Sequence, residues 1–190
     1  EAAAPAVAGS GEPQVTSEQI AEMVERLAQR LKDKPDDVEG WTMLGRSYMV
    51  LNRYAEARTA YERLVRLRPN DASPLADLAD AVAMVQNRSL AGEPARLLEQ
   101  ALKLDPNHLK SLALAGTEAF DRKDYLQAAR LWERITTLEP ADSPMHQQAR
   151  ASADEARRLA GGSTSQANAG RPPTSPPASP SSATNDLSVR

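Results

Sequence analysis

Cysteine does not occur anywhere in the 190 residues. That one absence removes disulfides, thiolate metal sites, c-type haem attachment and cysteine nucleophiles together. Histidine is scarce: only His108 and His146 are present, and neither has a second histidine at helical ligand spacing. His108 follows Pro106 and Asn107 at a predicted helix start, where it reads as a cap or a solvated side chain. His146, beside Gln147 and Gln148, reads the same way. Glycine-rich phosphate loops, G-x-S-x-G and H-E-x-x-H are all missing. No catalytic residue, metal site or cofactor is therefore expected, and the chain does not read as an enzyme.

An excess of one charge is lacking as well. Lys and Arg number 23 against 26 Asp and Glu, a net charge of -3, and the two signs are interspersed with no block of either. A nucleic-acid binder needs a basic stripe to neutralise phosphates, and a lipid-surface helix needs a basic polar face; neither is expected. Apolar runs are broken every few residues, far short of the roughly 18 that a membrane span requires. The chain opens on Glu1 with no basic-then-apolar leader, which reads as a processed protein or a segment of a longer one. Residues 1–15 and 161–190 contain no aromatic side chain and are rich in Pro, Gly, Ser and Ala. They are expected to be a disordered N-terminal linker and a disordered Pro/Ser-rich tail. Residues 16–160 remain, enough for one modest hydrophobic core.

What is present is a period. Pro35, Pro69, Pro106 and Pro140 recur at separations of 34, 37 and 34 residues, each just after an amphipathic segment, so a helix ends before each one. A 34-residue period with W-x2-L-G-x2-Y, A-x3-F and P landmarks is that of the tetratricopeptide repeat, and Trp41, Leu44, Gly45, Tyr48, Ala57, Tyr61 and Pro69 fill the set. Shifted by 71 residues, the set becomes Leu112, Ala115, Gly116, Ala119, Ala128, Trp132 and Pro140. Tyr54 likewise becomes Tyr125, so the two hairpin turns match. The middle repeat keeps Leu75, Leu78, Ala79 and Val82 but is enlarged by three residues before Pro94. Gly45 and Gly116 lie inside helices, where glycine costs about 1 kcal/mol relative to alanine. Close helix approach, with Ala57 and Ala128 opposite and Tyr61 and Trp132 filling the space, is the expected compensation.

The expected fold is all-α: a right-handed tetratricopeptide superhelix of three helical hairpins, with repeats at about 38–71, 72–108 and 109–142. Thr16-Ser-Glu-Gln offers a capping box, and the stripe Ile20, Val24, Leu27, Leu31 predicts an N-terminal helix that covers the first repeat. An Ala-, Arg- and Glu-rich segment predicts a solvating C-terminal cap helix. Helices are predicted at 17–32, 38–51, 54–67, 73–85, 94–104, 109–121, 125–138 and 144–159, with no strand.

Stacked hairpins present a concave surface lined by the first helix of each pair, suited to extended or helical peptides. Positions there not committed to packing are Arg46, Met49 and Val50, then Asp80, Ala83 and Met84, then Thr117 and Phe120. Two methionines and a phenylalanine make an adaptable apolar floor for an amphipathic helix, with Arg46 and Asp80 to orient it. Thr42, Ala76 and Ala113 stand where a carboxylate clamp would place polar or basic residues, so that clamp is absent.

Three stretches go beyond the generic repeat: Pro35-Asp-Asp-Val-Glu-Gly-Trp-Thr-Met-Leu-Gly-Arg-Ser-Tyr; Leu90-Ala-Gly-Glu-Pro-Ala; and Ser111-Leu-Ala-Leu-Ala-Gly-Thr-Glu-Ala-Phe with Tyr125 and Trp132-Glu-Arg. Together they closely resemble the periplasmic repeat domain of the cytochrome c maturation factors CcmI, also called CycH, over residues 17–140. The enlarged middle turn followed by Leu-Ala-Leu-Ala-Gly is the most specific part. The resemblance implies a periplasmic domain of a protein anchored in the bacterial inner membrane by an upstream segment. It implies a domain that binds apocytochrome c by its C-terminal helical segment and presents it to the haem-lyase components; from the repeat pattern itself the chain is expected to be a monomer. The sister factor NrfG, which serves haem attachment in nitrite reductase, is the nearest alternative. A scaffold that assembles maturation proteins without binding the client is the other reading, and peptide titration separates the two.

Overall fold

The computed structural model describes residues 16–169. Among them are eight helices and no strand: α1 (Ser17–Asp33), α2 (Val38–Val50), α3 (Tyr54–Leu67), α4 (Ala72–Val85), α5 (Glu93–Leu104), α6 (Leu109–Asp121), α7 (Tyr125–Leu138) and α8 (Pro144–Ala169). Every predicted helix is present, and the first seven agree with their expected bounds to within a residue. The four ladder prolines each stand two residues beyond a helix end, at Asp33, Leu67, Leu104 and Leu138. Several starts, though not those of α3 and α5, are capped by polar side chains that satisfy amides the helix leaves open. Asp37 accepts from the Gly40 amide at 2.8 Å, Asp71 from Ser73 at 2.9 Å and Asp124 from Gln127 at 3.2 Å. Thr16 and Gln19 form the expected capping box. His108 is the cap of α6, and His146 Nδ1 lies 3.1 Å from the Glu139 carbonyl oxygen.

The turns within the hairpins repeat as the sequence does. Asn52 and Lys123, 71 residues apart, both take left-handed backbone, with φ of 58° and 67°. In each case the next amide closes back onto the helix: Arg53 N–H donates to the Tyr48 carbonyl and Asp124 N–H to that of Ala119, both at 2.8 Å. Asparagine tolerates this conformation better than lysine does. The enlarged middle turn needs three such residues, Asn87, Arg88 and Gly92, and it is pinned by Leu90, which is buried with Ala79, Ala83 and Leu98.

Each helix packs mainly on its neighbours in the chain, with α4 also reaching α6. The landmarks do what their spacing requires. A Cβ on Gly45 would sit 2.6 Å from Tyr61 Cε1, and one on Gly116 would sit 2.7 Å from Trp132 Cδ1. Only hydrogen fits beneath either ring. The middle hairpin has Ala79 at the equivalent position and Leu98 in place of the aromatic residue, so the smaller partner leaves room for a methyl. In the third hairpin Phe120 packs edge-on to Tyr125 at 5.3 Å between ring centroids and tilted to Trp132 at 5.7 Å. Equivalent arginines tie hairpins to the preceding turn: Arg63 Nε donates to the Pro35 carbonyl at 3.0 Å and Arg134 Nε to that of Pro106 at 3.1 Å.

The ends differ from one another. Helix α8 lies along α7, burying Ala149, Ala153 and Ala156. It runs ten residues past its predicted end, to Ala169. Residues 161–169, assigned by composition to the disordered tail, are thus helical: extending a nucleated helix costs little per residue, and Gly161 and Gly162 do not stop it. The rest of that tail and the linker at 1–15 lie outside the described residues. Helix α1 rests more lightly on α2. Val24 and Leu31 are buried and Leu27 half-buried, while Arg53 pairs with Glu25 across the gap and sits 4.6 Å above the Tyr48 ring. Ile20, the first residue of the predicted stripe, stays exposed.

Four outcomes are expected. Gly116→Ala should destabilise the protein by about 1–3 kcal/mol in denaturant titration, because overpacking against the indole outweighs the gain in helix propensity. Gly161→Ala, where a Cβ meets nothing within 4 Å, should be neutral or stabilising. Phe120→Ala should cost about 2 kcal/mol of stability, less than a fully buried phenylalanine, by opening a gap between two rings. Deleting 162–190 should leave the melting temperature nearly unchanged, since Ala149, Ala153 and Ala156, which seat α8 on α7, precede the cut.

Candidate binding groove

The first helices of the hairpins, α2, α4 and α6, turn their uncommitted side chains to one face, but that face is not the continuous apolar floor that the sequence suggests. It has two depressions with a polar span between them. The first, about 510 Å³, is formed by Ile20 of α1, by Thr42, Met43, Arg46 and Val50 of α2, and by Arg68 beyond α3. The second, about 700 Å³, lies where Ala113 and Thr117 of α6 meet Trp132 and Ile135 of α7 and Met145, Gln148 and Ser152 of α8.

Between them, Lys110 at the start of α6 reaches back to α4, with Nζ 2.7 Å from Asp77 Oδ1 and 2.9 Å from Asp80 Oδ2. Burial on its own would lower the lysine's pKa, but the two carboxylates outweigh it and hold the ammonium above its ordinary value. The sign follows from linkage: a raised folded-state value contributes stability that is complete at neutral pH and is lost only as the pH climbs through that value. Burial pushes the Tyr61 phenol well above its usual range. Asp77 and Asp80 push in the same direction and Arg46 opposes them, so these groups share one electrostatic neighbourhood.

The eight residues expected to line the groove thus separate. Arg46 and Val50 stand together in the first depression and Thr117 in the second. Asp80 is held by Lys110, an intramolecular partner, rather than left open to orient a ligand. Ala83 is 4 % exposed and belongs to the cluster under the middle turn. This is a correction: the inserted loop folds Leu90 back over it. Phe120 is half-buried between Tyr125 and Trp132, and Met49 is half-buried against the first core cluster. Met84 is half-buried near the end of α4 and lines neither depression. Of the three positions weighed for a carboxylate clamp, Thr42 and Ala113 line the two depressions, whereas Ala76 is fully buried.

Several residues of this face fall outside the repeat landmarks. Met43 lies three residues before Arg46 and seven before Val50, on one helical face, so its exposure was readable from the period. Lys110 is the 71-residue counterpart of Glu39, and Asp77 precedes Asp80 by three. Their meeting required the angle between hairpins, which no local pattern encodes. Met23 and Met145 belong to the helices outside the repeats, where the landmark set says nothing.

With this geometry in view, comparisons with known proteins converge. The family described as cytochrome c-type biogenesis protein H TPR domain matches residues 5–146. The cytochrome c-type biogenesis protein CycH of Pseudomonas aeruginosa is 31 % identical over 171 residues, covering 90 % of this chain and 40 % of that protein. The formate-dependent nitrite reductase complex subunit NrfG of Escherichia coli O157:H7 is 29 % identical, over 66 % of this chain and 64 % of that one. The chain therefore spans less than two thirds of either relative. Among solved structures, MamA superimposes with a TM-score of 0.57 at 16 % identity, covering 78 % of this chain and 92 % of its own. The TPR2B domain of yeast Sti1, in its complex with pHsp70, does so at 0.55 and 20 % identity, over 64 % and 96 %. These two establish the tetratricopeptide fold alone. By sequence and by architecture, the chain belongs to the family of the cytochrome c-type biogenesis protein H TPR domain.

Proposed function

We propose that this domain serves the maturation of c-type cytochromes as a binding module of the bacterial periplasm, part of a longer, membrane-anchored protein. Its client is apocytochrome c, held through the C-terminal helical segment on the face shared by α2, α4 and α6 and presented to the haem-lyase components. The work is recognition, not bond making. The observation that carries the reading is the arrangement of that face: two apolar depressions at its ends, separated by the fixed Lys110–Asp77–Asp80 bridge. An amphipathic segment can lay apolar side chains into either depression while the bridge offers it polar contacts. Family membership supplies the pathway. A second reading is favoured by the NrfG similarity: the client is then a nitrite reductase rather than a general cytochrome, and the same face serves.

Calorimetric titration of the chain with synthetic C-terminal peptides of candidate apocytochromes, including a nitrite reductase, tests this. A saturable heat with native-sequence peptides and none with scrambled ones is expected. A flat trace for every peptide would sink the client reading and leave a scaffold that assembles maturation proteins.

A further inference from the structure

The two depressions are not equivalent, and the first extends further. Beside it on the α1 side lies another hollow of about 450 Å³, which shares Ile20, Met43 and Ser47 with it and adds Met23 and Leu27. The joined floor is apolar and open. Val50 is 80 % exposed, Met43 61 %, Met23 54 % and Ile20 37 %. Single exposed apolar side chains need no explanation, but four that are contiguous across two helices mark an interaction surface. Methionine on such a floor adapts to the shape of what it receives.

The rim carries the second observation. Arg26, Arg30, Arg46 and Arg68 surround the floor, against one acid, Glu39. Arg46 makes no ion pair among the described residues. Arg26 pairs with Glu22 one helical turn away, both largely exposed; Arg68 pairs with Asp71; and Arg30 is 3.9 Å from Asp37. Exposed pairs of this kind contribute little and exchange readily for a better-placed carboxylate. The depression at the α6–α8 end has no arginine on its rim and one acid, Glu139. The basic rim belongs to the α1–α2 end alone of the two.

The geometry points to a docking site on the α1–α2 face for an amphipathic helix whose apolar stripe is flanked by Asp or Glu. The floor follows α2, whose 13 residues extend roughly 20 Å at 1.5 Å each, so it takes about four turns of a partner helix. A helix suits a groove bounded by two helices and floored with methionine, and the arginines select its flanks and speed its approach. This inference rests on the reading that the domain binds a client segment, and it adds where that segment seats and which charge it carries.

The test uses the full 190-residue chain and two fluorescent synthetic helices with the same leucine stripe, one flanked by Glu and the other by Lys. Anisotropy titrations should show the Glu-flanked peptide binding, more weakly as salt is added, and the Lys-flanked peptide binding at least about tenfold more weakly. Met43→Glu and Arg46→Glu should each weaken the Glu-flanked peptide about tenfold or more, with helicity unchanged because both side chains are exposed. Leu126→Glu, at an exposed apolar position of α7 that lines neither depression, should leave it untouched. Equal or tighter binding of the Lys-flanked peptide, or no response to Met43→Glu, would overturn the inference. So would self-association abolished by Met43→Glu without peptide binding, which would make a second copy the occupant. Markedly tighter peptide binding on deleting residues 1–15 would overturn it too, by making the chain's own N-terminal segment the occupant. Apocytochrome peptides that bind and ignore Met43→Glu would remove this site and spare the client reading. Glu-flanked binding with no apocytochrome peptide bound would do the reverse.

Discussion

Two helices of a hairpin approach only as far as the side chains between them permit, and in the first and third hairpins that limit is a glycine beneath an aromatic ring. The glycine costs about 1 kcal/mol of helix propensity. Burying the ring it admits returns about 4 kcal/mol on the usual area scale, so the exchange favours the packed hairpin. Trp132 gains a directional tie as well, its indole N–H donating to the Ala113 carbonyl at 3.3 Å. With separation and angle fixed inside each hairpin, the first helices line up as a row. The groove, its polar bridge and its two unequal ends are consequences of that row.

This dependence explains which parts of the molecule were legible in the sequence. The landmarks are local: a glycine, an aromatic residue 16 positions later and a proline after the second helix can be read along the chain, and the helices followed to within a residue at most ends. The middle hairpin lacks both glycine and aromatic residue, yet it was still readable because Ala79 and Leu98 preserve the summed volume. The groove residues were legible only in part. A helical period says that Met49, Ala83 and Phe120 share a face with Arg46, Asp80 and Thr117, but not how wide the exposed strip of that face is. The partner helix and the middle loop cover one edge of it. Phe120 is lost to Tyr125 and Trp132, and Ala83 to Leu90.

Charge was the least visible feature. By composition the folded part is balanced, and so it reads as featureless. Balance in the total conceals segregation on the surface: Lys110 is neutralised by two carboxylates in the centre of the groove, while four arginines gather at the α1–α2 end around a single Glu39. Most of the other ion pairs join residues of one helix or adjacent helices and serve the stack. Arg46, on the rim of that floor, makes no such pair among the described residues.

Packing mainly between chain neighbours has a kinetic corollary. Helices meet mainly their neighbours in the chain, so little loop-closure entropy stands between the unfolded chain and its first native contacts. A stack of this kind can nucleate in any hairpin and grow outward, and its stability is a sum of hairpin and interface contributions rather than a single indivisible quantity. The lightly held α1 is then the element that opens at the lowest free energy in hydrogen exchange. Because α1 forms one wall of the arginine-rimmed floor, the width of that floor fluctuates without disturbing the hairpins beneath it.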